Sequence, residues 1–341
     1  MSSVLTVVPS AAGGVTYRLY RDEDDLAGMA RANAASKQRA GIVEQIDLDH
    51  MRHTYRHLVN CDARRDVLLP ELDGRIVGYV RRWWSDQHDG SRAYTSLVIV
   101  DPVAWGRGVA GTLLDWAEGR HHEVAFEDPG VHATDRPRWL ETFAYDSDEE
   151  MTRAAEAAAY RVVRRGAEMV RDSLAGDLPR FPLPEGFELR PVSRVNARAV
   201  WEAAGEAFSD SFGEAVEGEA EYIAWRDDPA SDLSLVVAAY AGDQVAGHVI
   251  NRLDDRPDGT VQGLLASVAT RAPYRRRGLA RALVSESLRL LRERGATSAY
   301  LGVDLENPRQ ALTLYESCGF RVKTNELTYR RPFDGRWPED T

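Results

Sequence analysis

The clearest periodic pattern along the chain lies between residues 279 and 295. Apolar residues recur there every three or four positions, at Leu279, Leu283, Val284, Leu288 and Leu291. That spacing predicts an α-helix with one apolar face. Gly295 follows the last apolar position and predicts the end of the helix, because glycine readily adopts the left-handed conformation that terminates helices.

Strand patterns surround this helix. Residues 234–253 read SLVVAAYAGDQVAGHVINRL, in which a Gly-Asp turn separates two apolar segments, and they predict two strands joined by a turn. Further elements are predicted in this order: strands at 263–270 (GLLASVAT) and 298–305 (SAYLGVDL), a short helix at 308–317, and a last strand after Gly319 and Phe320. This order predicts a mixed α/β fold.

The same order of segments occurs twice in the chain. VDPVAWGRGVAGTLL (100–114) resembles TRAPYRRRGLARALV (270–284), and the segment 157–169 resembles 316–328. Two pairs of aligned glycines, Gly78 with Gly247 and Gly108 with Gly278, lie 169 and 170 positions apart. A repeat at a fixed separation indicates two copies of one structural unit.

The repeat also predicts the domain boundaries. Residues 175–186, AGDLPRFPLPEG, contain three prolines and are interpreted as the linker between the copies. We therefore predict a mobile tail at 1–14, an N-terminal domain at 15–174, a C-terminal domain at 187–332 and a tail at 333–341. A chain of 341 residues is long enough for two domains of about 150 residues each.

Composition and charge argue against several classes of protein. The net charge of −11 disfavours a nucleic-acid partner, since that affinity comes mainly from clustered Lys and Arg. No apolar run reaches the roughly 18 residues of a membrane span, and residues 1–14 do not resemble a signal peptide. Cys61 and Cys318 show no metal-binding spacing, so we expect a reducing, cytoplasmic setting and no metal.

The candidate chemistry begins in the segment WGRGVAG, where Gly106, Gly108 and Gly111 form a G-x-G-x-x-G sequence. A loop at a helix N-terminus binds anions through its N–H groups and the helix dipole. A dinucleotide-binding turn needs small residues at these places, but the second copy has Arg276 and Arg281. We therefore favour a phosphate-binding loop of another kind.

The second copy reads R-x-x-G-x-A from Arg275 to Ala280, and residues 302–320 read GVDLENPRQALTLYESCGF. These motifs are similar to those of the GNAT superfamily of acyl-CoA-dependent N-acyltransferases. The resemblance covers most of 187–331 and, more weakly, 15–170. Two such domains in one chain resemble the tandem GNAT group, which includes mycothiol synthase and acetyltransferases of antibiotic gene clusters.

The resemblance implies an α/β (α+β) fold for each domain, with a mixed, mostly antiparallel sheet flanked by helices. It also implies roles in the C-terminal domain. Backbone groups at Val268 and Thr270 pair with the pantetheine arm of acetyl-CoA, and Asn307 lines the same groove. The pyrophosphate is expected on the loop formed by Arg275, Arg276, Arg277, Gly278, Leu279 and Ala280. Tyr315 is implied as the acid that protonates the leaving thiolate.

The N-terminal copy departs from this pattern. Its corresponding cofactor-binding residues are Val98, Val100, Trp105, Gly106, Arg107, Gly108, Val109, Ala110 and Gly111. Trp105 replaces the Arg or Gln of the loop motif, and Ala155 occupies the position of Tyr315. We expect this domain to bind acetyl-CoA for structural reasons, or to form one wall of the substrate cleft. A domain that binds nothing is the alternative.

The general base is not evident. The strand TVQGLLASVAT has no carboxylate, which argues against mycothiol synthase itself. The candidates are Asp304, His248, Asp210 and Glu214, although His248 is also interpreted as an ordinary strand residue. Solvent is a further possible proton acceptor.

The acceptor is expected to be a small-molecule amine, and the acyl group acetyl or a larger one. We expect a monomer or a homodimer, with antibiotic biosynthesis as a possible context and no membrane or nucleic-acid partner. A CoA-binding pseudoenzyme that acts as a sensor or scaffold is the alternative hypothesis.

Overall fold

The computed structural model describes residues 7–11, 13–42, 47–133, 135–256, 258–307, 311–335 and 337. The strands of this part of the chain are β1 Val15–Leu19, β2 Val67–Leu72, β3 Arg75–Ile76, β4 Gly78–Asp86, β5 Arg92–Val100, β6 Arg138–Tyr145, β7 Arg161–Arg171, β8 Glu188–Arg190, β9 Val237–Ala241, β10 Gln244–Asp255, β11 Val261–Thr270, β12 Ala296–Asp304 and β13 Arg321–Pro332. The α-helices are α1 Asp24–Ala40, α2 Leu48–Arg56, α3 Ala63–Asp66, α4 Val109–Glu127, α5 Pro129–His132, α6 Glu149–Ala157, α7 Ala197–Phe208, α8 Glu219–Asp227, α9 Leu279–Glu293 and α10 Ala311–Ser317.

One compact unit contains the described residues of 7–42, 47–165 and 324–337. Its sheet has the order β1-β2-β4-β5-β6-β13, and β3 pairs with β2. The strands are antiparallel except for β5 and β6. Leu113 and Leu114 of α4 are fully buried in one core cluster, whereas Leu26 and Met29 of α1 belong to a second cluster with Leu69. Helices therefore cover two separate apolar surfaces of this sheet.

The second unit contains the described residues of 166–323. Its sheet has the order β7-β12-β11-β10-β9-β8, with one parallel pair, β11 with β12. The five apolar residues that predicted α9 are all buried, so that periodicity is confirmed. The predicted fold, two tandem units with mostly antiparallel sheets flanked by helices, is also confirmed.

Several turn residues have the conformations that the sequence predicts. Gly242 has a φ of 59° between β9 and β10, and Gly295 has a φ of 94° after α9. The short helix expected at 308–317 is observed as α10 from Ala311, and residues 308–310 lie outside the described part of the chain. Of the predicted tails, residues 1–6, 12, 336 and 338–341 lie outside it as well.

The last strand of each copy is exchanged. The segment Glu326–Pro332 of β13, which comes from the second copy, pairs with β6 of the first unit. The segment Gly166–Arg171 of β7, which comes from the first copy, pairs with β12 of the second unit. The boundaries 15–174 and 187–332 describe the repeat in sequence, and they stay a prediction for domains. The exchange makes the first unit non-contiguous along the chain, because it combines residues up to 165 with residues from 324 onward.

The linker segment 175–186 contains no helix or strand and packs on the second unit. Leu178, Phe181 and Leu183 contact its core cluster. The Ser285 hydroxyl donates a hydrogen bond to the Pro179 carbonyl at 2.5 Å, and Arg292 Nη1 donates to the Gly176 carbonyl at 2.9 Å. The segment is therefore anchored along α9.

Candidate active site

The centre of the C-terminal unit is a gap between two parallel strands. Pairing of β11 with β12 runs only from Val261 to Leu264 on β11. The register of β11 against β10 shifts after Ile250, so that Ala266 is an extra residue, which is a β-bulge. Bulges bend the strand that carries them. Beyond Leu264 the two strands diverge and leave one edge of β11 without a strand partner.

A cleft of about 820 Å³ lies in this gap. Its walls include Val268, Ala269 and Thr270 from β11 and Gly302, Val303 and Asp304 from β12. The cleft also reaches the loop before α9 and the side chains of α10. Thr270 is one of the lining residues, and its buried hydroxyl has no hydrogen-bond partner among the described residues.

Most of the predicted C-terminal site residues line this one cleft. They are Val268, Thr270, Arg275, Arg276, Gly278, Leu279, Ala280, Asn307 and Tyr315. Arg277 is the exception, because its guanidinium lies 4.4 Å from the Phe187 ring centroid and donates to the Glu185 carbonyl. The cleft thus brings together predicted residues that are up to 47 positions apart, from Val268 to Tyr315.

The loop before α9 is preorganised for an anion. A 3₁₀ turn, Ala272–Tyr274, is followed by Arg276 and Gly278 with φ values of 62° and 83°. Gly278 is the N-cap of the 15-residue helix α9, and no side chain caps that end. The first N–H groups of a helix have no intrahelical acceptor and carry a partial positive charge. The N–H groups at this end of α9 can therefore donate hydrogen bonds to phosphate oxygens.

Arg275 supports the loop from the side. Its Nε donates to the Thr270 carbonyl at 3.0 Å, and its Nη2 donates to the Ala207 carbonyl at 2.8 Å. Its Nη1 pairs with the Asp210 carboxylate at 2.9 Å. We call residues Arg275–Ala280 the anion loop. The Arg275 side chain connects this loop with the end of β11 and the end of α7. Its own charge is largely compensated by Asp210.

Tyr315 lies on α10 with only 7% of its surface exposed. Burial raises the pKa of its phenol well above the ordinary value of 10. The phenol is therefore protonated at neutral pH and can act as a proton donor. Cys318, one turn further on, is fully buried in the same core cluster.

The four candidate bases have different surroundings. Glu214 and Asp304 line the cleft, whereas Asp210 is held in the ion pair with Arg275. His248 is fully buried, and burial lowers the pKa of its imidazole to about 4. Asp304 accepts the Glu306 N–H at 2.9 Å.

Glu214 differs from the others in its electrostatics. Burial, and secondarily the charge of Glu217, raise the pKa of its carboxyl from 4.5 to about 7. Among the described residues no cation forms an ion pair with it. A half-buried carboxyl of this kind exchanges protons near neutral pH.

Sequence reasoning missed several lining residues. Phe208 is the last residue of α7, Ser211 and Phe212 follow it, and Thr313 and Leu314 lie on α10. Their only signal in the sequence was their position beside Asp210, Glu214 and Tyr315.

A family comparison shows which family the chain belongs to. The model of the acetyltransferase (GNAT) family matches residues 42–134 and 198–320, one match in each copy. The chain belongs to the GNAT acetyltransferase family. It is an acyltransferase with two tandem GNAT domains.

Curated GNAT relatives extend over most of the chain. A mycothiol acetyltransferase of Rhodococcus jostii is 30% identical over 291 residues, 81% of this chain and 83% of that protein. A mycothiol acetyltransferase of Nocardiopsis dassonvillei is 29% identical over 320 residues, 84% of this chain and 87% of that protein.

Solved structures show the same fold. A GCN5-related N-acetyltransferase from Sphaerobacter thermophilus has a TM-score of 0.71 at 23% identity, covering 96% of this chain and 97% of its own. A tandem GNAT protein from the clavulanic acid biosynthesis pathway has a TM-score of 0.61 at 14% identity, covering 94% and 98%. In the part of the chain that the structure describes, no helix is long and apolar enough to cross a membrane.

The N-terminal GNAT unit has the same strand divergence. β5 pairs with β6 from Arg92 to Ser96, and no pairing follows in the segment that contains Val98 and Val100. The side chains of Val98, Val100, Val109 and Ala110 are buried in the core. Gly108 is the N-cap of α4 with a φ of 74°, as Gly278 is for α9, and Gly111 lies in the first turn of α4.

The remaining N-terminal loop residues make contacts within the unit. Trp105 packs against the core, with the Arg39 guanidinium 5.3 Å from its ring centroid. Arg107 Nη1 donates to the Gly13 carbonyl at 2.7 Å. Gly106 N–H donates to the Glu150 carboxylate at 3.1 Å.

Backbone hydrogen bonds support the alignment of Ala155 with Tyr315. Tyr160 N–H donates to the Ala155 carbonyl at 3.0 Å, and Phe320 N–H donates to the Tyr315 carbonyl at 3.1 Å. Both bonds close the turn between a short helix and the following strand. The N-terminal unit therefore has a methyl group at the position of the C-terminal phenol.

Proposed function

We propose that this protein transfers an acetyl group, or another acyl group, from CoA to the amine of a small molecule in the C-terminal cleft. The main observation in support is that Tyr315, the anion loop of Arg275–Ala280 and the unpaired edge of β11 all line the same cleft. An acyl-CoA has one chemical feature for each of these: a thioester sulfur, a pyrophosphate and a chain of amides.

The chain's own groups support each part of the reaction. The loop amides and the end of α9 bind the pyrophosphate, and backbone groups near Val268 and Thr270 bind the pantetheine amides. Backbone N–H groups of β11 polarise the thioester carbonyl. When the amine attacks that carbonyl and the C–S bond breaks, Tyr315 donates its proton to the thiolate. The products are an amide and free CoA.

We assign the general base to Glu214. An amine is protonated at neutral pH and must lose a proton before it attacks. Glu214 has a pKa of about 7 and lines the same cleft as Tyr315, so it can accept that proton. Asp304 is the second candidate because it lies at the end of β12 and lines the same cleft.

The N-terminal unit is proposed to be non-catalytic. Ala155 supplies no proton at the position of Tyr315. Its glycine-rich loop retains the backbone conformation of an anion site, so we propose that acyl-CoA binds there without turnover.

The acceptor is proposed to be a cationic amine. Two carboxylates, Glu214 and Asp304, line the cleft, and Glu217 lies close enough to influence the pKa of Glu214. The mycothiol acetyltransferases among the relatives and the clavulanic acid neighbour favour a small molecule of specialised metabolism. Antibiotic biosynthesis, a cytoplasmic location and the monomer or homodimer stay predictions.

The test is acyl transfer by the full-length protein. Acetyl-CoA is mixed with a panel of amines that includes the acceptor of the mycothiol acetyltransferases, and release of free CoA thiol is followed. We expect turnover on at least one cationic amine, and a kcat at least about 10²-fold lower in Tyr315→Phe. Tight CoA binding without turnover on any amine would favour the sensor or scaffold instead.

A further inference from the structure

The two anion loops of the chain share one backbone conformation. In the N-terminal unit a 3₁₀ turn, Pro102–Ala104, precedes Gly106 and Gly108, whose φ values are 75° and 74°. In the C-terminal unit the corresponding residues are Arg276 and Gly278, at 62° and 83°. Each loop leads directly into a long helix, so both present the same amides to an anion.

The N-terminal loop already contacts an anion from its own chain. Glu150 Oε2 accepts the Gly106 N–H at 3.1 Å, and the Glu150 side chain is only 11% exposed. Glu150 lies in the first turn of α6, whose N-terminus is capped by Asp148. Arg153 Nη2 lies 4.0 Å from this carboxylate. A carboxylate that accepts a loop N–H occupies the place that a phosphate oxygen would take.

The second copy differs at this position. The offset of 160 positions between Ala155 and Tyr315 aligns Glu150 with Gln310, which is neutral and lies outside the described residues. The second loop also carries Arg276 and Arg281 where the first has glycines. The C-terminal loop therefore carries more cationic side chains than the N-terminal loop, where the Glu150 carboxylate contacts the backbone of a segment that includes Arg107.

We propose that Glu150 is a built-in occupant of the N-terminal anion loop, and that a pyrophosphate ligand such as CoA binds there only by displacing it. This inference rests on the proposed function, in which the C-terminal loop binds CoA. Charge-assisted hydrogen bonds are the stronger kind, so we expect the competition to weaken the N-terminal site about 10- to 100-fold. The chain then holds one CoA tightly and a second one weakly.

The experiment is a titration of the full-length protein with CoA, in which isothermal titration calorimetry measures the affinities and native mass spectrometry counts the bound CoA molecules. The variant is Glu150→Gln, which keeps an acceptor oxygen for the loop and removes the negative charge. Glu149→Gln is the matched control, because it makes the same charge change one residue earlier, where the side chain is 74% exposed and contacts Arg153. Glu150→Ala is a second variant that removes the acceptor as well.

We expect one tight and one weak CoA in the wild type and in Glu149→Gln. In Glu150→Gln and Glu150→Ala the weak site should gain about 10-fold or more in affinity, while the tight site is unchanged. Equal affinity of two sites in the wild type, or no gain at the weak site in either Glu150 variant, overturns the inference while leaving the proposed function intact. Absence of any CoA binding in all four proteins overturns both.

Discussion

Burial raises the pKa of two side chains of the cleft, Tyr315 and Glu214, and the result suits them to opposite roles in proton transfer. It raises the pKa of Tyr315, which keeps the phenol protonated throughout the neutral range. It also raises the pKa of Glu214 to about 7, which leaves this carboxyl poised between its two forms. One residue is therefore suited to give a proton and the other to accept one.

Tyr315→Phe is expected to lower kcat by about 10²-fold or more, because the thiolate then leaves without its proton donor. The KM for acetyl-CoA should change little, since the ring is retained. Steady-state kinetics with the best amine check this. Tyr300→Phe is the control: Tyr300 is a buried tyrosine of β12 whose hydroxyl donates to Asp254 outside the cleft. Equal rates for wild type and Tyr315→Phe would remove Tyr315 from the mechanism.

Glu214→Gln is expected to lower kcat/KM for the amine by about 10- to 100-fold at pH 8 and to abolish an acidic limb near pH 7. A pH–rate profile measures both effects. Asp304→Asn is the paired variant, since its carboxylate lines the same cleft. If Asp304→Asn removes the limb and Glu214→Gln does not, the base is Asp304.

The same substitution should change stability with a defined sign. Folding raises the Glu214 pKa from 4.5 to about 7, so the folded protein binds the proton more tightly than the unfolded chain. Ionisation of Glu214 therefore lowers the free energy of unfolding as the pH rises from 4.5 to about 7. Thermal unfolding of Glu214→Gln should show a gain in Tm over wild type at pH 8 and none near pH 4. A gain of the same size at both pH values would contradict the assignment.

The sequence predicts these two residues to different extents. Tyr315 belongs to a motif in which several other residues have fixed places. Glu214 was one of four candidates, and only the fold separates them. It buries His248, pairs Asp210 with Arg275, and leaves Glu214 and Asp304 in the cleft, where burial raises the pKa of the Glu214 carboxyl. The pair of Asp210 with Arg275, for example, joins residues 65 positions apart, which no local pattern contains.

At the scale of elements, the conformation of the anion loop depends on the Arg275 side chain as much as on Gly278. Arg275 connects the loop with the carbonyls of Thr270 and Ala207 and with the Asp210 carboxylate. The N-terminal loop has Trp105 at this position and is held by apolar packing instead. The motif residue therefore acts here as a structural support of the loop.

Arg275→Ala is expected to raise the KM for acetyl-CoA about 10-fold, because the hydrogen bonds to Thr270, Ala207 and Asp210 that fix the loop are lost. The kcat should fall less, since Tyr315 is on another element. Initial rates at varied acetyl-CoA check this. Arg294→Ala, beyond the far end of α9, is the control. A lower kcat at unchanged KM would show that the loop does not limit binding.

The order of elements in both copies could be read from apolar periodicity and glycine positions. Gly247 illustrates why the copies share a glycine: a Cβ there would lie 2.7 Å from the Ala269 carbonyl, and Gly78 meets the equivalent carbonyl of Ile99. The divergence of β11 from β12 could not be read in this way. It arises from a register shift at Ala266, and alternating side chains do not reveal where pairing stops.

At the scale of the whole molecule, the exchanged strands are the feature that sequence repeats cannot show. A repeat reports similarity between segments, and it gives no information on which sheet a strand joins. β6 obtains its outer partner from Glu326–Pro332, and β12 obtains its partner from Gly166–Arg171. Each sheet depends on both halves of the chain.

Division of the chain within 175–186 is expected to leave an N-terminal fragment without a partner for β6. Its exposed strand edge should make the isolated fragment aggregate or unfold, while co-expression with the C-terminal fragment should restore soluble protein. Size-exclusion chromatography and circular dichroism of each fragment and of the pair check this. The intact chain is the control. A stable, monomeric N-terminal fragment would contradict the prediction.

The exchange also sets an order for folding during synthesis. The pairing of Trp139 with Pro332 joins residues almost two hundred positions apart, and translation adds about 5 to 20 residues per second. The last strand of the N-terminal sheet is therefore synthesised about ten seconds or more after β6. During this time, while the whole second copy is made, the edge of β6 has no strand partner. The part of the protein that leaves the ribosome first is the part that is completed last.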